Sequence, residues 1–122
     1  MPSANDLKIS EMLKGMLNLK LFVIFSQGKG LNLKPYLADH LEYMIGLERQ
    51  GKLFASGPFG NPARGDGMTV VRAKDIEEAH ELARHDPFFI NGIRTYTIEP
   101  WTVMEGSLSF TINFSDKTSS IS

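Results

Sequence analysis

Apolar residues along this chain recur at two spacings, every second residue or every third to fourth, and each change of spacing marks a new element. Between Leu19 and Ser26, the residues Leu19, Leu21, Val23 and Phe25 alternate with Phe22 and Ile24. This predicts a strand with bulky apolar groups on both faces, and hence one that needs cover on both sides. Gly28 and Gly30 then mark a loop. From Leu31 to Gln50, Leu33, Leu37, Leu41, Met44 and Leu47 form a stripe at spacings of three and four, predicting the longest helix of the chain. Pro35 falls where a missing N–H does little harm, and Gly51 is a natural stop.

Two short strands follow, over 52–57 and 67–73. The segment joining them, Pro58 to Asp66, is rich in turn residues and long enough to move over a site. A second helix is expected from Asp75 to His85, with Asp75 as N-cap and Glu78 at capping-box spacing. Its narrow buried face is Ile76, Ala79 and Ala83, with Leu82 at the border. Ile93 to Met104 reads as a fourth strand, and Pro100 within it implies an edge position or a bulge. After Gly106, the alternation from Leu108 to Phe114 predicts a fifth strand, and the polar Ser115–Ser122 is expected to fray. At the other end, Leu7, Met12, Leu13, Met16 and Leu17 suggest a short amphipathic helix, weakened by Gly15.

The order β-α-β-β-α-β predicts an α+β, ferredoxin-like antiparallel sheet carrying an extra N-terminal helix and an extra C-terminal strand. The expected divisions are an N-terminal extension over 1–18, the main domain over 19–104, the added strand over 105–115 and a flexible tail over 116–122. Two helices cover only one face of such a sheet. A homodimer with packed sheets is the economical way to cover the other.

Composition narrows the partners. Hydrophobic residues make up 42% and charged residues 22%, and the formal net charge is −1 with basic residues scattered, so a nucleic-acid partner is not expected. The longest apolar run, Leu21 to Phe25, is far too short for a membrane span, and charges at Asp6, Lys8, Glu11 and Lys14 interrupt any signal-peptide core. The absence of cysteine removes thiolate chemistry and fits a cytoplasmic setting.

Candidate chemistry starts at Asp86-Pro87. Pro87 ends the second helix, which leaves an acid facing the negative end of the helix dipole. This is either a common turn opener or an acid placed to meet a partner. Of the three histidines, His85 should point to solvent and His80 lies at a border, whereas His40 falls within the apolar stripe of the first long helix and needs a hydrogen-bond partner. Pairing His40 with Asp86 answers both needs, fixing the imidazole tautomer and leaving its other nitrogen free for a proton. A purely structural pair answers them equally. Arg64 and Arg94 are candidate anchors for a substrate carboxylate or else solvated surface residues. Tyr43, one turn from His40, either lines a pocket or packs in the core. Ser56, Gly57 and Pro58 are candidate wall residues. His40 and Asp86 are too few ligands for a metal, and no phosphate loop or nucleophilic serine motif occurs, so no cofactor or metal is expected.

Five segments in order, Asp39-His40-Leu41-Glu42-Tyr43, Gly51 to Pro58, Glu78-Ala79, Asp86-Pro87-Phe88 with Gly92, and Glu99-Pro100-Trp101, resemble the YCII-related family over roughly residues 19 to 104. The resemblance implies a dimeric α+β barrel, in a superfamily that includes muconolactone isomerases and small monooxygenases. It also implies an active-site dyad mapping to His40 and Asp86. A related enzyme eliminates chloride from a chlorinated muconolactone. The resemblance therefore implies lyase, isomerase or dehalogenase-type acid–base chemistry on a small organic acid or lactone. The alternative is a non-catalytic ligand-binding or accessory domain.

Overall fold

In a computed structural model describing residues 1–122, the chain divides into two units, Lys20–Thr102 and a second unit formed by Met1–Leu19 with Val103–Ser122. The larger unit carries the expected strands and two long helices, together with one short helix that was not expected. Strand β1 (Leu19–Gly28) is followed by helix α2 (Lys34–Arg49), strands β2 (Leu53–Pro58) and β3 (Gly67–Val71), helix α3 (Ile76–Arg84), a short helix α4 (Pro87–Ile90) and strand β4 (Arg94–Val103). The preceding helix α1 is Ala4–Lys14. The sheet order is β2-β3-β1-β4, with β3 antiparallel to both β1 and β2. Pro100 sits in the edge strand β4, where a missing donor breaks no central ladder.

The core lies between one sheet face and the helices. Ile24 and Val71 meet Met44 and Leu47 of α2 and Ala79, Leu82 and Ala83 of α3, with Phe22, Tyr43, Leu53, Tyr96 and Ile98 around them. The small Ala79 and Ala83 let α3 lie close to the sheet. Leu82, assigned by periodicity to the border, is buried with them. Asp75 caps α3 by accepting from the Glu78 N–H at 2.9 Å. Gly51, at φ +73°, ends α2 in the left-handed geometry that a side chain resists.

The apolar stripe of α2 does not all enter this core. Met44 and Leu47 are buried, but Leu37 and Leu41 remain 41% and 49% exposed. Their half of the stripe opens onto the cavity described below.

The loop between β2 and β3 is seated, not loose. The Phe59 N–H donates to Asp66 O, and the Gly28 N–H donates to the Asp66 carboxylate at 2.8 Å. A Cβ at Gly28 would lie 1.9 Å from the Arg64 carbonyl oxygen, so the loop backbone packs directly on the end of β1.

In the smaller unit, Ser3 and Asp6 form a reciprocal capping box at the start of α1. The expected C-terminal strand is β5 (Phe110–Asn113), and the segment expected to fray contains a partner strand, β6 (Thr118–Ile121). Phe110 pairs with Ile121 and Asn113 with Thr118, while Asp116 receives the Thr118 N–H and hydroxyl within the turn. The polar composition of 115–122 is thus that of a hairpin turn and an exposed strand.

Because backbone stands where a Gly28 side chain would go, Gly28→Ala should lower stability by about 1–3 kcal/mol, the usual penalty of overpacking. Urea denaturation measures this; a change within a few tenths of a kcal/mol would show that the loop yields freely.

Candidate active site

Asp86 is not the last residue of α3. That helix ends at Arg84 with His85 as C-cap, and Asp86 begins α4 as its N-cap, its carboxylate accepting the Phe88 N–H at 3.0 Å. Pro87 holds Asp86 in extended backbone and occupies the first helical turn, where no N–H is needed. The same oxygen, Oδ1, lies 2.8 Å from Nδ1 of His40. An ionised carboxylate only accepts, so Nδ1 donates and Nε2 is the unprotonated nitrogen of the neutral ring. Both side chains are about one-eighth exposed.

His40 is held on a second side by Phe88, whose ring stacks on the imidazole at 4.1 Å and 13°. Asp86 and Phe88 therefore fix His40 together, and the turn of α4 fixes both of them. Gly92, at φ +69°, ends that turn, with the Ile93 N–H donating to Phe88 O.

A cavity of about 410 Å³ opens beside the pair. Leu33, Leu37, Leu41 and Met44 form its apolar side; Ser56, Gly57, Pro58, Met68 and Thr69 form the sheet side; His40, Phe88 and Arg94 complete it. Arg94 is only 8% exposed. Its Nε donates to Gly65 O at 2.7 Å, and its guanidinium lies 4.6 Å from the centre of the Phe88 ring. Burial lowers its pKa, while Asp86 and Asp66 act in the opposite sense.

Among the expected site residues, the cavity gathers His40, Ser56, Gly57, Pro58 and Arg94, with Asp86 directly behind His40. Tyr43 is not among its walls. Its hydroxyl donates to Leu82 O at 2.6 Å and its ring packs against the core, and burial together with the Asp86 charge raises its pKa to about 12. Arg64 pairs with Asp66 at 2.8 Å and lines a different cavity of about 520 Å³ with Phe25, Phe59 and Glu99. Its side chain is 70% exposed. His85, as expected, is exposed and bonds to Glu81 O, and His80 reaches Tyr96.

Phe88, Thr69 and Met68 were missed by the sequence reading. Phe88 carried a signal, because the residue two places after an N-cap Asp is fixed relative to that carboxylate. Thr69 and Met68 had none, since which end of β3 meets the cavity depends on register.

Residues 21–102 match the sequence profile of the YCII-related domain, which covers more than half of the chain. A search of curated proteins returned no match. Among solved structures, the chain is similar to 5-chloro-2-hydroxyhydroquinone dehydrochlorinase (TftG) from Burkholderia phenoliruptrix AC1100, determined in complex with 2,5-dihydroxybenzoquinone. The TM-score is 0.55 at 24% identity, covering 66% of this chain and 92% of that one. The likeness is one of fold. No helix is long and apolar enough to cross a membrane.

Tyr43 yields a pH prediction. A tyrosine whose folded pKa is raised from 10 to about 12 contributes stability that is full below pH 10 and is lost as pH rises through 12. Of the three tyrosines, one should ionise late in an ultraviolet titration, and Tyr43→Phe should remove that late step. Loss of a different step would show that burial and the Asp86 charge do not hold Tyr43 protonated.

Proposed function

The chain belongs to the YCII-related family, and from that premise we propose that it is a small-molecule enzyme in which His40 moves a proton and Asp86 orients it. The observation that carries this reading is the pair's position. Nδ1 is committed to Asp86, while the ring borders a cavity lined mainly by apolar residues, where Nε2 can exchange a proton with a ligand. The carboxylate fixes the tautomer and stabilises the imidazolium that forms when Nε2 takes the proton. Apolar walls from Leu37, Leu41, Met44 and Phe88 suit a small ring, and a cavity of about 410 Å³ suits a compact ligand.

The chemistry proposed is a lyase, isomerase or dehalogenase-type proton transfer on a small organic acid, lactone or related cyclic compound. The dehydrochlorinase of similar fold, with a dihydroxybenzoquinone bound, supports looking first among small oxygenated rings. Ser56, Gly57 and Pro58 are the proposed substrate walls. Tyr43 acts from behind, packing the helix that carries His40. Arg64, outside this cavity, is proposed only to hold the loop through Asp66.

We further propose a homodimer in which sheets pack together. Val23 and Phe25 alternate with core-facing Phe22 and Ile24, and on that second face Val23, Phe25, Met68, Pro100 and Trp101 line an apolar hollow of about 280 Å³. Sedimentation at micromolar concentration should give a dimer, and a persistent monomer would contradict this.

The catalytic reading is tested by His40→Gln against any substrate found by screening small cyclic acids, lactones and hydroxylated rings. Loss of one general base should cost about 10²–10⁴ in turnover with the fold intact. Unchanged turnover, together with a stability loss well over 1 kcal/mol from an unpaired buried carboxylate, would favour the purely structural pair.

A further inference from the structure

Arg94 is a buried cation that no carboxylate pairs with directly. Its only hydrogen bond runs from Nε to the Gly65 carbonyl, which leaves both terminal nitrogens without a protein acceptor. Asp86 and Asp66 lie near enough to act on it electrostatically, yet neither pairs with it. Asp86 is engaged by His40 and the Phe88 N–H, and Asp66 by Arg64 and the Gly28 N–H. No unsatisfied side-chain nitrogen is sealed from solvent anywhere in the chain, so these terminal groups reach accessible space, and the cavity that Arg94 lines is shared with His40. A buried arginine with no carboxylate in direct contact, open to a cavity, is suited to receive an anionic oxygen there.

The distance between the two groups is bounded. The His40 ring centre lies 4.1 Å and the Arg94 guanidinium carbon 4.6 Å from the same Phe88 ring centre, so their separation cannot exceed the sum of the two. Both groups therefore lie within reach of one small ring held in the shared cavity.

Resting on the acid–base reading of His40, we propose that Arg94 is the oxyanion partner of the reaction, binding an enolate or phenolate oxygen of the same small ring that His40 deprotonates. In that step the C–H or O–H bond breaks, the proton goes to Nε2 of His40, and the electron pair is delocalised onto, or left on, the oxygen beside the Arg94 terminal nitrogens. Charge grows at Arg94 as it leaves the reacting atom, so the guanidinium stabilises the developing anion more than the neutral substrate. The ligand class is then a small ring bearing an ionisable enol or phenol, in preference to a neutral ring.

The test uses dyes and needs no known substrate. 4-Nitrophenol changes colour on ionisation, and nitrobenzene is a neutral ring of similar size. The wild-type protein should bind the ionised dye in preference to nitrobenzene and should lower the pH at which bound 4-nitrophenol ionises. Arg94→Met should weaken binding of the ionised dye about tenfold or more, as expected for a lost charge-assisted bond, and nitrobenzene less than twofold. Arg94→Lys should recover part of the preference. Equal losses for both dyes, or a wild-type protein with no preference for the ionised form, including one that binds neither, would overturn the proposal. If Arg94→Met fails to fold, the wild-type dye shift and Arg94→Lys still decide. Because no turnover is measured, this result stands apart from the His40→Gln experiment, and failure of the Arg94 proposal is distinguishable from failure of the His40 reading.

Discussion

One carboxylate oxygen connects the helix ends, the histidine and the cavity. Oδ1 of Asp86 accepts from the Phe88 N–H, which starts the short helix α4, and from Nδ1 of His40, which lies on α2. An acid left at the end of α3 faces an unfavourable dipole; moved one step on, it caps the next helix, where the dipole favours it. The bond to the backbone fixes the carboxylate, and the fixed carboxylate then aims the imidazole. Phe88, placed by the same turn, stacks on His40 and meets the Arg94 guanidinium. Four residues of the site are thus oriented by a single turn of chain.

The remainder of the domain supplies what this turn needs around it. Pro87 restricts Asp86 to the extended backbone of an N-cap, and Gly92 lets the chain turn sharply into β4, which places Arg94 two residues later. The apolar stripe of the long helix serves two purposes. Met44 and Leu47 fill the core, while Leu37 and Leu41 leave it and face the cavity. A stripe that looks like ordinary core packing is therefore half cavity wall. Gly28 and Asp66 seat the β2–β3 loop, and Gly65 in that loop receives Arg94, so the loop acts as a fixed support for the cation.

Much of this was legible in the residues. The strand and helix order, the N-cap at Asp75 and the stop at Gly51 follow from local patterns that tertiary packing did not override. The pairing of His40 with Asp86 was also reachable, because each was an anomaly alone and the fold brings their helices to the same face. What was not legible depended on geometry that periodicity does not carry. A four-residue helix gives too few apolar positions to show a period, so α4 was not predicted and Asp86 was read as an acid at the end of α3. Arg64 and Arg94 look alike in sequence, yet one pairs with Asp66 at the surface and the other is buried beside Phe88. The β6 strand, polar and exposed throughout, has no buried face to reveal it.

The central claim is that Asp86 holds His40 with its Nε2 lone pair free towards the cavity. Long-range proton–nitrogen NMR of the imidazole, at a pH where the ring is neutral, tests it most directly. The account predicts that His40 carries its proton on Nδ1, the less common tautomer, and that Asp86→Asn disturbs this assignment while His80 and His85 keep theirs. A His40 protonated on Nε2 in the wild-type protein would contradict it, because the nitrogen facing the cavity could not then accept a proton.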